Sequence, residues 1–392
     1  MTPAAPSKLA LLGATGSIGQ QTLEVVRALA ARGHQIRLIT LAAGRRVEEL
    51  ARLAGEFSPQ LVAVAGPREA EAIKPLLPPG IELVWGEAGL QQAAAHPEVE
   101  LVVNAVVGAL GLRATLAALQ AGKVVALANK ESLVVGGELV LAAQTKPHQL
   151  LPLDSEHAAL AQLLAGIKPG ELVRAWITAS GGPFFHLPSH QLAKVTPQQA
   201  LAHPTWKMGP RITVDSATLV NKAFEVIEAH HLFGLPWEKI GVLVHPQAIV
   251  HAIAELVDGS QLAQLATPDM RLPIQAALTH PARLPGPARP LSLAGKRLEF
   301  AELPRDSWPG FWTVLEAGRE GGTAPAVANA ADEVLVEAFL AGKISFTDIP
   351  AGLAEVLARH NPISSPTLEE LWEADHWARE QARRFVQVRQ RA

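Results

Sequence analysis

A short apolar run over residues 8–12 meets Gly13-Ala14-Thr15-Gly16-Ser17-Ile18-Gly19 and passes directly into a helix-like stretch reaching about Ala31. This feature constrains the fold most. A strand that turns through glycine into a helix must lay that helix back over a sheet, and the next strand then runs parallel to the first. The pattern recurs. Gln35–Leu41, Leu61–Val64, Glu82–Val84, Leu101–Val103 and Val124–Leu127 read as buried strands, and helix-like stretches such as Leu112–Ala121, closed by Gly122, separate most of them. The spacing predicts a doubly wound parallel sheet over residues 1–150. A mixed α/β domain is expected over 151–280, with strands at Leu172–Thr178 and Val242–Val244. Val250–Val257 and Gln261–Ala266 flank Asp258-Gly259-Ser260 as a hairpin. Pro281–Pro290, with four prolines, reads as part of a linker over 281–310. Helical periodicity takes over in 311–392: Phe311–Gly318, Ala324–Ala341, Ile349–His360 and Leu368–Gln390 predict a small bundle.

The glycine pattern carries a chemical expectation. Glycines allow a tight turn and close approach of a phosphate, and the helix N-terminus offers unpaired amides and a partial positive charge. Thr15 and Ser17 add hydroxyls. The spacing is G-x-x-G-x-x-G, which a plain turn also satisfies, but its place after the first strand favours a Rossmann-like dinucleotide site. The second strand ends in Ala43-Gly44-Arg45-Arg46 with no carboxylate for ribose hydroxyls. Two cations there suit a 2′-phosphate, hence NADPH over NADH.

A second constellation lies in Asp154-Ser155-Glu156, behind the apolar Leu150–Leu153, and in Asp215–Glu225. If residues 154–156 are extended, Asp154 and Glu156 point to one side. If a helix starts near Thr218, capped by Asp215 or Ser216, then Thr218, Asn221, Lys222 and Glu225 share a face. Three carboxylates, Asp154, Glu156 and Glu225, fit an oxygen site for Mg²⁺ or Mn²⁺. Ser180-Gly181-Gly182-Pro183, with Ser216, Asn221 and Lys222, can wrap a phosphate. His203–Pro210, with two prolines, a glycine and Trp206, reads as a lid whose tryptophan covers a substrate, though a fixed loop with a core tryptophan satisfies the residues too. His203 is suited either to phosphate or to capping a turn. Lys130, after the Val124–Ala128 run, is a candidate substrate contact.

Composition removes several classes. The chain has no Cys, which excludes thiolate ligands and thiol nucleophiles, and no Tyr. A net charge of −3 gives no field for nucleic acid or an anionic membrane. No stretch approaches the roughly 18 apolar residues of a membrane span, and residues 1–8 lack a signal-peptide pattern, so a cytoplasmic protein is expected.

Six motifs together resemble one family, 1-deoxy-D-xylulose 5-phosphate reductoisomerase: GATGSIG at 13–19, ANKES at 128–132, LDSEH at 153–157, SGGPF at 180–184, HPTWKMG at 203–209 and VDSATLVNKAFE at 214–225. The resemblance covers nearly the whole chain. It implies that Asp154, Glu156 and Glu225 hold the metal (Mg²⁺ or Mn²⁺, with Co²⁺ a further candidate) and, with Lys130, form the catalytic set. It implies substrate contacts from Lys130, Ser155, Glu156, Ser180, His203, Ser216, Asn221, Lys222 and Glu225, with Trp206 as the cover. Thr15, Gly16, Ser17, Ile18, Gly44, Arg45, Arg46, Asn129, Glu131 and Gly209 would line the NADPH site. The sugar-phosphate substrate, rearranged and then reduced to 2-C-methyl-D-erythritol 4-phosphate, and a homodimer formed through the 151–280 catalytic domain are implied as well. Ala14 stands where relatives often have Ser, and Arg45-Arg46 where a Lys-Asn pair occurs. Another NADPH dehydrogenase, or an NADPH-binding sensor without turnover, would share the glycine turn but would not need the carboxylates.

Overall fold

The computed structural model describes residues 7–391 except Lys207, Arg305 and Asp306, so the signal-peptide reading of residues 1–6 and Lys207 of the 203–210 loop lie outside it. The chain forms two compact units: residues 1–132, 138–158 and 269–290 make the first, and 133–137, 159–268 and 291–392 the second.

The first unit is built on seven strands. They are β1 (Lys8–Leu12), β2 (Arg37–Ala42), β3 (Leu61–Val64), β4 (Glu82–Trp85), β5 (Leu101–Asn104), β6 (Val124–Leu127) and β7 (Leu150–Pro152), in the order β4-β3-β2-β1-β5-β6-β7. Every pairing is parallel, with Leu11 opposite Leu41 and Val103. The doubly wound expectation therefore holds, and the order reverses direction at β1, where the glycine turn lies. The intervening helices are α1 (Ser17–Ala30), α2 (Val47–Phe57), α3 (Pro67–Ile73), α4 (Gly86–Ala95), α5 (Leu110–Gln120) and α6 (Glu131–Ala142). Leu9, Leu11, Leu23, Val26, Leu41, Leu50 and Leu53 form much of one buried cluster, which explains the near-continuous apolar strands. Helix α6 kinks at Gly136, whose φ of −126° and ψ of 32° leave the helical region.

Helix α7 (Ser155–Leu164) begins immediately after Asp154. The extended conformation considered for residues 154–156 is therefore not adopted. His-Ala-Ala-Leu-Ala-Gln-Leu-Leu after Glu156 is a run of good helix formers, and it draws Ser155 and Glu156 into the first turn.

The second unit holds β8 (Leu172–Ala179), α8 (Pro197–Ala200), α9 (Pro210–Thr218), α10 (Val220–Phe233), β9 (Ile240–Val244), β10 (Val250–Leu256) and β11 (Gln261–Leu265). Helix α11 (Arg271–Thr279) belongs to the first unit, where Ile274, Ala277 and Leu278 join its apolar cluster. After it come β12 (Ala301–Glu302), α12 (Pro309–Glu320), α13 (Ala324–Leu340), α14 (Asp348–Ala358) and α15 (Leu368–Arg389). The second sheet runs β11-β10-β8-β9-β12 and is mixed: β8 and β9 are parallel, and the other pairs are antiparallel. The expected hairpin is β10–β11, with Ile253 opposite Ala263 and Asp258 accepting from Ser260 at the turn. The four C-terminal helices are present. Thr367 caps α15 in a capping box with Glu370.

One expectation about the 214–225 segment needs correcting. Asp215 and Ser216 do not cap the helix that carries Glu225; they lie inside a separate helix, α9. Leu219 then adopts a left-handed conformation, φ 59°, which ends α9 and starts α10 without a side-chain cap.

Candidate active site

In the first unit the glycine turn is fixed by the end of β2. The amides of Gly13 and Ala14 donate to Ala42 O at 2.9 and 2.8 Å, and Gly16 N donates to Gly13 O at 2.9 Å. A Cβ on Gly13 would lie 2.5 Å from Ala105 O, and one on Gly19 only 2.3 Å from Gly13 O. Both positions thus require glycine, Gly13 because the chain leaving β5 at Ala105 passes so close and Gly19 because α1 packs onto the turn. Gly16 is the N-cap of α1 and offers no side chain to its first-turn amides, which are left for a ligand. Thr15 is buried, Ser17 is exposed, and Ile18 comes next in the first turn. Gly44, Arg45 and Arg46 are exposed, and Arg46 pairs with Glu49 at 3.2 Å.

At the end of β6, Asn129 is buried and organises the chain around it. Its amide donates to Val106 O, Gly108 O and Glu131 Oε2 at 2.8–2.9 Å, and its Oδ1 accepts from Ser132. Asn129 and Glu131, both expected at the dinucleotide, thus hold each other and the Gly108 loop in place. Lys130, 7% exposed, meets Asp154 with Nζ 2.6 Å from Oδ2. Ser155 donates to Glu156 at 2.9 Å. His157, fully buried, brings a ring nitrogen within 4.8 Å of an Asp154 carboxylate oxygen. Sequence reasoning gave His157, the last residue of its motif, no role. The signal was its spacing: three residues after Asp154, one turn into a helix, it returns to the same side.

In the second unit the SGG turn, the 203–210 loop and the start of α10 each bring candidates. His203 Nδ1 accepts from the backbone amides of Thr205 and Trp206 at 3.1 and 2.9 Å. The neutral ring therefore carries its proton on Nε2, a tautomer assigned from this network. Nε2 lies 3.0 Å from Ser180 Oγ, to which it donates. Burial lowers the His203 pKa, which keeps the ring in that neutral form. One His203 nitrogen thus ties the loop, the turn-capping role considered for it, and the other is aimed at Ser180. Gly182, at φ +63°, packs so closely that a Cβ there would lie 2.8 Å from Ser216 O. Trp206 is half-buried with its ring 6.4 Å from that of His251, and Gly209 caps α9 ahead of Pro210. On α10, Lys222 and Asn221 both donate to the buried Glu225 carboxylate.

A seven-stranded parallel sheet whose glycine turn sits at the strand-order reversal, opening a helix that no side chain caps, defines an α/β protein of the dinucleotide-binding class. The family models agree on which one. A 1-deoxy-D-xylulose 5-phosphate reductoisomerase model matches residues 9–137, and two models of that enzyme's C-terminal domains match 150–233 and 265–381. The chain belongs to the 1-deoxy-D-xylulose 5-phosphate reductoisomerase family. Relatives of that name from Symbiobacterium thermophilum and Moorella thermoacetica are each 50% identical, over 96% of this chain and 97% of theirs. Among solved structures, the Zymomonas mobilis enzyme in complex with NADPH has a TM-score of 0.88 at 38% identity, covering 97% of this chain and 99% of that one. A DOX-P reductoisomerase in complex with NADPH, fosmidomycin and magnesium has a TM-score of 0.89 at 37% identity, covering 97% and 98%. No helix of the described residues is long and apolar enough to cross a membrane.

Proposed function

We propose that this chain catalyses the NADPH- and divalent-metal-dependent conversion of 1-deoxy-D-xylulose 5-phosphate to 2-C-methyl-D-erythritol 4-phosphate. The observation that carries the reading is the Ser180–His203 contact beside Gly182, which is packed on the Ser216 backbone. A neutral imidazole N–H, the Ser180 hydroxyl and a left-handed glycine turn in one place are suited to an oxygen-rich phosphate.

The residues present fit both groups that the reaction needs. The glycine turn is packed against its own backbone at Gly13 and Gly19, which holds the start of α1 tight, and the uncapped first-turn amides of α1 suit a pyrophosphate. Arg45 and Arg46 supply charge for a 2′-phosphate, with Thr15, Gly16, Ser17, Ile18, Gly44, Asn129, Glu131 and Gly209 as the remaining proposed contacts. Asp154, Glu156 and Glu225 offer only oxygen, the donor set of Mg²⁺ or Mn²⁺. When bound, the cation supplies Lewis acidity that polarises the ketone and the adjacent hydroxyl, and the reduced nicotinamide supplies hydride.

The chain's own residues do the rest. Ser180, His203, Ser216 and Asn221 hold the phosphate by hydrogen bonds, and Lys222 balances its charge. Trp206 covers the substrate and excludes water. Lys130 and Ser155 orient the reacting end. Holding the unreactive phosphate tightly provides binding energy to align that end. The reading carries with it a homodimeric, cytoplasmic enzyme. An open edge strand, β11, with Leu262 45% exposed and Val257 65% exposed beside it, supports the dimer.

The test is loss of the reduced nicotinamide absorbance with the sugar phosphate and Mg²⁺ or Mn²⁺, then with a chelator. Metal-dependent oxidation is expected. Binding of NADPH without oxidation under either condition would overturn the reading.

A further inference from the structure

Helix α9 carries Ser216 at one end and continues the 203–209 loop at the other, so whatever sets its position sets both. Its first turn holds a cation, Arg211, and no acidic residue. A cation there opposes the helix dipole, so other groups must make the placement favourable. Arg211 Nη1 donates to Glu333 at 2.7 Å, and Nη2 donates to Asn329 at 2.8 Å and to Asp332 at 3.4 Å, all on α13. Arg211 Nε lies 3.6 Å from Asp215, one turn along α9. Glu333 in turn accepts from Arg379 of α15 at 2.6 Å, and Arg379 also grips Asp375. Two guanidinium groups therefore face four carboxylates: Asp215, Asp332, Glu333 and Asp375.

We propose that Arg211 is a positioning residue for the reaction: by clamping α9 to α13 and α15, it sets where Ser216 and the 203–209 loop meet the phosphate of the substrate. The proposal rests on the function argued above. The clamp is directional, because a planar fork with separate partners for Nη1 and Nη2 fixes orientation as well as distance. Asp332 strengthens the case. It is fully buried, burial pushes its pKa up to about 6, and Asp215 hydrogen-bonds to it. The Arg211 guanidinium opposes that rise and favours the ionised carboxylate, so Arg211 on α9 and Asp332 on α13 hold each other in place. The cluster belongs wholly to the second unit, and the glycine turn to the first.

The experiment compares wild type, Arg211→Met, Arg211→Lys and Glu333→Gln in turnover with the sugar phosphate and Mg²⁺, together with NADPH affinity by fluorescence titration and the melting temperature. Arg211→Met is expected to raise the KM for the sugar phosphate at least tenfold while the NADPH Kd stays within twofold. Arg211→Lys, which keeps charge but loses the fork, should recover only part of this, and Glu333→Gln should raise KM about threefold. If Arg211→Met does not fold, Arg211→Lys and Glu333→Gln carry the test by the same split. An unchanged sugar-phosphate KM in the folded variants overturns the proposal, as does a parallel loss of NADPH affinity, which would mark a general loss of fold. Wild type without turnover overturns the functional reading and this proposal together, so the two failures are distinguishable.

Discussion

Gly182→Ala is the substitution whose effect the structure specifies most closely. The residue sits at φ +63°, where an alanine costs about 1–2 kcal/mol. Its Cβ would also lie 2.8 Å from Ser216 O and 3.0 Å from Ala217 Cα. Both are backbone atoms of α9, so no rotamer change can relieve the contact. Ordinary contact requires the SGG turn and α9 to separate by roughly half an ångström. A displacement of about 1 Å at a site costs ~10²-fold in rate, so half of it should cost about tenfold in kcat/KM for the sugar phosphate, or ~1.4 kcal/mol. The control is Gly234→Ala. Gly234 has nearly the same dihedral, φ +61°, with no atom within 4 Å of a Cβ built on it. Both variants should lose stability through backbone strain, but only Gly182→Ala should lose activity. NADPH affinity should hold in both. Steady-state kinetics and thermal melts check this, and equal kcat/KM in the two variants would refute the packing argument.

The same geometry sets expectations elsewhere in the chain. Gly19→Ala, with a Cβ 2.3 Å from Gly13 O, should lower NADPH affinity at least tenfold by fluorescence titration; unchanged affinity would place the dinucleotide elsewhere. Glu225→Gln should abolish most turnover with NADPH affinity within twofold, and a variant with normal turnover would remove Glu225 from the metal set. His231 has its pKa lowered to about 4, first by burial and then by His230. A histidine depressed on folding contributes stability that is fully present above the unfolded pKa of about 6.5 and is lost as pH falls toward 4. The loss amounts to ~3 kcal/mol at ~1.4 kcal/mol per unit. Denaturant titrations from pH 7 to pH 4 should show a shallower decline in His231→Gln, and parallel declines would contradict the assignment.

The first sheet was legible because its signals are local. Its strands are short apolar runs, and most turns and helix starts are marked by glycine or proline nearby, α6 at Glu131 being an exception. The hairpin at Asp258-Gly259-Ser260 was legible for the same reason. The break at Leu219 was not, since a left-handed leucine has no residue-type signature. The start of α7 at Ser155 was hidden because the apolar run before Asp154 invited an extended reading of residues 154–156. Among the candidate site residues, Ser180, His203, Lys222 and Glu225 were singled out by their types. The tautomer of His203 was not legible, because it depends on two backbone amides beside it. The grip of α13 on Arg211 lies beyond any sequence pattern, as its partners are 118 to 122 residues away.

The return of residues 269–290 to the first unit has a consequence for synthesis. The apolar cluster around Leu23 and Val26 of α1 is shared with Ile274, Ala277 and Leu278 of α11. From residue 159 through Asp269, 269 − 158 = 111 residues of chain must be made. At about 5–20 residues per second, that is a wait of roughly 5–20 s. For that interval the emerging sheet has its strands but not its last helix, and α1 presents to the cell an apolar stripe meant for α11. A ribosome-bound chain stalled before Asp269 would therefore hold a complete sheet with the α11 side of α1 still uncovered.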